Sequence, residues 1–295
     1  MKSLLYSPAI LLSLILWAAM PAEAGNLGKQ PDIFVSIPPQ KYFVEQIAGK
    51  QANIRVMVAP GSHPATYEPS PSQMRAVSKC DLYFAMGVPF EKTWLKKFKS
   101  ANPDMNIVKT DAWIEKQPVE RGEGVTSSEH DHGAADPHIW LSPPMVMIQS
   151  RHILTALVST DPGRRELYED GYKKFISETV ELDEKLRDLF TRGGKKSEFM
   201  VFHPAWGYFA DAYGLKQTAV ETGGKSPKPA EIRRLVEHAR EKQIKVLLVQ
   251  PQISSRTADM IAREIDGKTI TADPLAEDWA KNMMEVAAAI SKTAR

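Results

Sequence analysis

The sequence predicts an α/β fold of two lobes, each a parallel sheet flanked by helices, joined by one long α-helix. Three observations carry that expectation. Short β-branched or aromatic runs alternate with amphipathic stretches, the pattern of strands crossed over by helices. Four such units precede a helical middle and four follow it. Within that middle, Tyr168, Tyr172, Phe175, Leu182, Leu186 and Leu189 recur at helical spacing, with Thr179 filling the one gap.

The strands of the first half are expected at residues 32–37, 53–59, 82–87 and 106–110, and those of the second at 198–203, 216–221, 245–250 and 268–273. Helical patterns lie between them, among others at 70–79, 90–100, 230–242 and 255–265. Such alternation argues for parallel sheets covered on both faces. Asp161 is placed to N-cap the middle helix with Pro162 at its first position, and Gly193-Gly194 ends the pattern. A helix of about 28 residues would run roughly 42 Å, enough to cross the molecule. The expected division is a signal peptide at 1–24, an N-terminal lobe at 25–160, the linking helix at 161–194 and a C-terminal lobe at 195–295.

Export follows from the first residues. Lys2 supplies a positive n-region, Ile10 to Ala19 an apolar h-region, and Ala22-Glu23-Ala24 a cleavage site before Gly25. The apolar stretch is about ten residues, against the roughly 20 needed to span a bilayer. The lone cysteine, Cys80, lies far from the cut, so a lipid anchor is not expected, and one thiol excludes an internal disulfide and a CxxC zinc ribbon. Cys80 reads as a small buried residue. With 38 basic and 36 acidic residues the charge is balanced, giving no bias toward nucleic acid or anionic membrane. A periplasmic monomer that is not membrane-anchored is expected.

Seven histidines are present, and four metal-ligand types fall near predicted strand ends. His203 and Asp273 close strands, His63 follows one by four residues, and His138 lies in the connection after residues 106–110. In parallel α/β sheets ligands bind outside the carboxyl ends of the strands. All four fall on that side, two from each lobe, which places a site between the lobes. Three imidazoles and one carboxylate suit Zn2+ and could complete a tetrahedron, whereas Ca2+ or Mg2+ sites draw mainly on oxygen. Mn2+ is the alternative metal. Glu120–Ala135 is rich in Gly, Ser and Glu, reads as a mobile loop, and carries His130 and His132. His152 and His238 read as surface residues on helices. Glu221 could orient a ligating histidine or cap the next helix. Trp140 and Trp206 could wall the site, though core packing is the commoner fate.

These residues carry a resemblance. Segments "PGSHPATYEPSPSQ" (60–73), "DPHIWLSP" (136–143), "FHPAWGYFADAYGL" (202–215), "ETGGKSPKPAEI" (221–232), "VLLVQPQIS" (246–254) and "DPLAEDWAKNM" (273–283) resemble the zinc- and manganese-binding solute-binding proteins of ABC transporters, the ZnuA-like or TroA-like family. The resemblance implies two lobes joined by one long helix, His138, His203 and Asp273 as ligands, and an ABC importer membrane permease as partner. Histidine rather than glutamate at the third position leans it to zinc. In one place the sequence departs from the family: the first histidine usually stands where this chain has Ala65, two residues beyond His63. His130 or His132 is the substitute should His63 not reach. The same two resemble a short form of the His-rich loop of zinc-specific members, and solvated loop histidines without a role are the alternative. Rival functions are a manganese importer subunit, a periplasmic metal buffer or adhesin, and a zinc hydrolase. The last is disfavoured by the missing HExxH motif and by a ligand set that fills all four positions.

Overall fold

The computed structural model describes residues 28–119, 135–191, 198–221, 227–252 and 256–292. The expected signal peptide, His130, His132 and the Gly193-Gly194 stop lie outside these residues.

Two four-stranded parallel sheets form the frame. The first is built from β1 (Asp32–Val35), β2 (Asn53–Val56), β3 (Leu82–Ala85) and β4 (Asn106–Lys109), with α1 (Pro38–Ala48), α2 (Pro71–Val77) and α3 (Glu91–Ala101) between them. Then come α4 (Pro143–Thr160) and α5 (Arg165–Thr191). The second sheet holds β5 (Glu198–Val201), β6 (Lys216–Ala219), β7 (Val246–Val249) and β8 (Lys268–Thr271), interleaved with α6 (Gly207–Ala212), α7 (Pro229–Glu241) and α8 (Arg256–Glu264), and α9 (Trp279–Ser291) follows. The strand orders are β2-β1-β3-β4 and β6-β5-β7-β8. The two halves thus share one topology although no repeat is legible in their sequences. In each, the order reverses beside the first strand, which opens a crevice at the carboxyl ends there.

Every expected strand is present, and each stops earlier than the apolar run that marks it. The chain leaves the ladder while its side chains are still buried: Ser36 and Ile37 after β1, and Met86 after β3, are all shielded from solvent. His203 and Asp273 therefore lie two residues beyond the ends of β5 and β8, and His63 seven beyond β2.

The long helix α5 has 27 residues, about 40 Å of axis. Its start differs from expectation. Pro162–Arg164 forms a 3-10 turn and Asp161 makes no side-chain cap; its carboxylate instead accepts from Arg164 Nη1 (2.5 Å) and Tyr168 Oη (2.8 Å). The buried Arg164 guanidinium competes for the carboxylate that would otherwise have capped the helix, and a charge-assisted bond wins over a neutral one.

Helix α5 packs on α1, α4 and α9. Phe175 lies against Phe43 of α1 with ring centroids 5.9 Å apart, and Phe43 meets Trp279 of α9 edge to face at 5.2 Å. A single hydrophobic core therefore runs from the first sheet through α5 to α9, while the outer face of the second sheet has its own smaller cluster around Met200, Leu247 and Ile261. Among the described residues no helix is long and apolar enough to cross a membrane.

Gly171 sets the approach of α1 to α5. A Cβ there would sit 2.3 Å from the Ile47 carbonyl oxygen. Gly171→Ala is expected to lower stability by about 1–3 kcal/mol despite alanine's helix-propensity advantage of about 1 kcal/mol. Urea unfolding reads this directly, and an unchanged midpoint would mean the two helices can part at that point.

Candidate metal centre

Three histidines from three separate segments meet between the sheets. The rings of His63 and His203 have centroids 5.5 Å apart, and those of His138 and His203 5.4 Å apart, both pairs edge to face. Among the described residues no three His, Cys, Asp or Glu side chains have their donor atoms gathered for one ion as they stand. The rings are neighbours whose nitrogens do not yet converge.

His203 leaves β5 at the point where the order of the second sheet reverses. The Phe202 N–H donates to Leu248 O and the Glu221 N–H to Phe202 O, so the ladder continues informally past the strand ends. That register carries the Glu221 carboxylate to His203 Nδ1 at 2.9 Å. Of the two roles open to Glu221 in the sequence, the geometry gives it the histidine.

His138 has an equivalent partner that the sequence reading did not single out. Asp136 Oδ1 accepts from the His138 N–H (2.9 Å) and stands 2.6 Å from His138 Nδ1. Asp136 is buried, and Tyr208 Oη of α6 donates to its backbone carbonyl at 2.9 Å. The i to i+2 spacing of Asp136 and His138 was the available signal, an Asx-type turn preceding a ligand-type residue. A carboxylate can only accept, so in the neutral ring of His138 or His203 the proton sits on Nδ1 and Nε2 keeps a free lone pair.

His63 is held differently. Gln73 of α2 donates from Nε2 to Met57 O (2.6 Å) and accepts from the Ser70 N–H, tying both ends of the loop together. Tyr67 packs edge to face on Phe90, and the Phe90 N–H donates to Pro64 O. This bent loop delivers His63 although its position is displaced from the family pattern. His63 Nδ1 accepts from the Ala65 N–H at 3.1 Å. Its neutral ring therefore carries the proton on Nε2, and its one lone pair is already in use.

Asp273 lies beside Gln252, whose Nε2 donates to Oδ1 at 3.0 Å; the Leu275 N–H donates to the same oxygen at 2.9 Å. Asn282 Nδ2 also donates to the Asp273 carbonyl (2.8 Å), so the residue is gripped from three sides.

A family model described as zinc-uptake complex component A periplasmic, ZnuA, matches residues 33–293. The chain belongs to the ZnuA family. The high-affinity zinc uptake system protein ZnuA of Bacillus subtilis (strain 168) is 29% identical over 258 residues, 84% of this chain and 79% of its own length. The manganese-binding lipoprotein MntA of Halalkalibacterium halodurans is 26% identical over 260 residues, 86% of this chain and 83% of its own. A crystal structure of ZnuA is similar with a TM-score of 0.83 at 35% identity, covering 90% of this chain and 99% of that one. This ZnuA-family chain is accordingly a metal-binding solute-binding protein of ABC transport, with the two-sheet, long-helix architecture of its relatives. Membership alone does not choose the metal, since relatives of similar identity are named for zinc and for manganese.

The remaining side chains singled out in the sequence take structural places. Trp140 and Trp206 are buried in the core. Burial pushes the Cys80 thiol up to about 12, which suits a packed, unreactive residue. His152 and His238 are half-buried rather than surface residues: His152 Nε2 bonds Ala112 O at 3.0 Å, and His238 Nε2 lies 2.6 Å from Glu198. Amphipathic helices put their polar-edge residues within reach of a neighbouring loop or sheet, which periodicity alone does not reveal.

Burial, reinforced by the nearby His203, lowers the His63 pKa below its ordinary value. Below the unfolded value of about 6.5 the unfolded chain then binds more protons at this position than the folded one, so stability is lost as pH falls. Metal-free protein is expected to lose stability as pH falls through and below the unfolded value of about 6.5, and His63→Asn to lose less. Denaturation at several pH values checks it, and parallel curves would place the histidine in a more polar setting.

Proposed function

We propose that the protein captures Zn2+ in the periplasm, after removal of a signal peptide, and delivers it to an ABC importer permease. His63, His138, His203 and Asp273 are the proposed ligands. The observation that carries this reading is the trio of adjacent imidazoles, two of them with Nδ1 held by a carboxylate. That carboxylate–histidine arrangement fixes the tautomer and raises ligand basicity at metal sites. Two imidazoles on one tetrahedral zinc, with nitrogens at about 2.0–2.1 Å, have centroids roughly 5 Å apart, close to the 5.4 and 5.5 Å between these rings. Small rotations would turn neighbours into co-ligands.

In this reading His138 and His203 form a prepared half-site with Nε2 lone pairs facing the cleft. Asp273 adds charge, and His63 must release the Ala65 N–H before it can join. Metal bridging segments of both lobes would favour one arrangement of loops, and the permease would read that arrangement. The shared core across α5 and α9 keeps the lobes from opening widely, so loading is a matter of loops. No hydrolytic role is proposed, because four protein ligands leave a zinc no open position.

Titration of stripped protein is expected to find one tight zinc site, with manganese bound more weakly; a manganese preference would reassign the metal. His138→Ala or His203→Ala should each weaken zinc binding by more than the ~100-fold that loss of an outer partner can cost. Glu221→Gln, which keeps the shape and removes the charge, should cost ~10–100-fold. Unchanged affinity in both histidine variants would remove the site from between the sheets.

A further inference from the structure

We infer that Gln252 is a positioning residue that keeps Asp273 a one-oxygen ligand and thereby favours four-coordinate zinc over manganese. The inference rests on the proposed role of Asp273 as a ligand.

Gln252 lies three residues past β7, at the reversal of the second sheet. The orientation of its amide is fixed by chemistry, since only Nε2 can donate to the carboxylate it touches. Asp273 Oδ1 accepts twice, from Gln252 Nε2 and from the Leu275 N–H, while among the described residues no hydrogen bond reaches Oδ2. A carboxylate oxygen that accepts from two donors has its two lone pairs occupied. Oδ2 is left to face a metal, and Oδ1 cannot join without giving up one of those bonds.

The other end of the amide argues that Gln252 is not kept for stability. Its Oε1 is buried and has no hydrogen-bond partner among the described residues. A buried acceptor left unpaired is destabilising, and an apolar residue of similar volume would remove that cost. The side chain is thus unfavourable at one end and bonds Asp273 at the other. Zinc is satisfied by a tetrahedron of three nitrogens and one oxygen. Manganese is the harder ion, which carboxylate suits and which takes up to six oxygen ligands, so a second carboxylate oxygen would benefit it more.

Gln252→Leu separates the possibilities. The metal-free variant is expected to melt at an unchanged or higher temperature. Its zinc Kd should weaken by ~10–100-fold, and the preference for zinc over manganese should fall at least ~tenfold. Cobalt(II) gives a direct reading of coordination number, because four-coordinate cobalt absorbs visible light far more strongly than five- or six-coordinate cobalt. Intense bands are expected for the wild-type chain and weaker bands for the variant. Gln252→Glu, which keeps the length but replaces the donor with an acceptor, should move preference and spectrum in the same direction, and covers the case of a leucine variant that does not fold. An unchanged metal preference and cobalt spectrum, with Asp273→Ala abolishing tight binding, would overturn the role of Gln252 alone. Tight zinc binding retained by Asp273→Ala would instead overturn the ligand assignment beneath it.

Discussion

The site depends on a reciprocal pair of hydrogen bonds between two buried tryptophans and the backbone opposite each. Trp140 Nε1 donates to Pro274 O at 2.6 Å, and Trp279 Nε1 donates to Trp140 O at 2.7 Å. Both indoles are almost wholly enclosed, so either N–H left unpaired would carry the full cost of desolvation, about 1–3 kcal/mol. The pairing is placed where it matters. Trp140 lies two residues after His138, and Pro274 directly follows Asp273. Fixing these carbonyls fixes the separation of two segments that enter the cleft from opposite sheets. The Trp279 ring then reaches Phe43 and, through it, Phe175 of α5, so the same contact that spaces the site also seats it on the long helix.

On that frame the histidines are not equivalent. His138 and His203 each have a carboxylate behind Nδ1, in ladder or turn geometry that leaves little freedom. His63 is fixed by its own loop, two residues from an N–H that uses its lone pair. Burial lowers its pKa, which keeps the ring neutral at pH values where an exposed imidazole begins to charge. The most weakly organised of the three is thus a ring that burial keeps neutral. That combination suits a group that waits, uncharged, to change partners.

Much of this was legible in the sequence, for identifiable reasons. The inner strands β1, β3, β5 and β7 are legible as short apolar runs because they are buried on both faces, whereas β2, β4 and β8 at the sheet edges are half-exposed and show through their β-branched residues. Their ends were overrun because burial continues beyond the ladder, as at Ser36 and Met86. Asp161 stands at the N-cap position with Pro162 next, as its type suggests, but its side chain makes no cap because Arg164, three residues on and drawn into the same turn, is a stronger donor. His63, His138 and His203 were traceable through their distance from strand ends. Gln252 was not, because it acts by touching another side chain, and Asp136 offered only its two-residue spacing from His138. Gln252 reaches Asp273 across 21 positions of sequence. Asp136, close in sequence to its histidine, is held in place by Tyr208, 72 positions away. Composition and spacing record which chemistries are present, whereas orientation is a property of contacts between distant elements.

A rigid frame with one loosely held histidine among the proposed ligands constrains how such a protein can bind tightly and still release. If the lobes swung apart on release, the core joining α1, α5 and α9 would have to break, exposing Phe43, Phe175 and Trp279 together. Burying side chains of this kind is worth about 1.5–3 kcal/mol each, so a wide hinge would oppose release with several kilocalories before any metal–ligand bond was weakened. The loop bearing His63 offers a far smaller barrier, because exchanging the Ala65 N–H for a metal swaps one polar partner for another. Release by withdrawal of His63 would leave His138, His203 and Asp273 in place around an ion with one open position, which water or a donor from the partner could enter. On the proposed ligand set, transfer by exchange of a single ligand costs less than transfer by opening of the cleft.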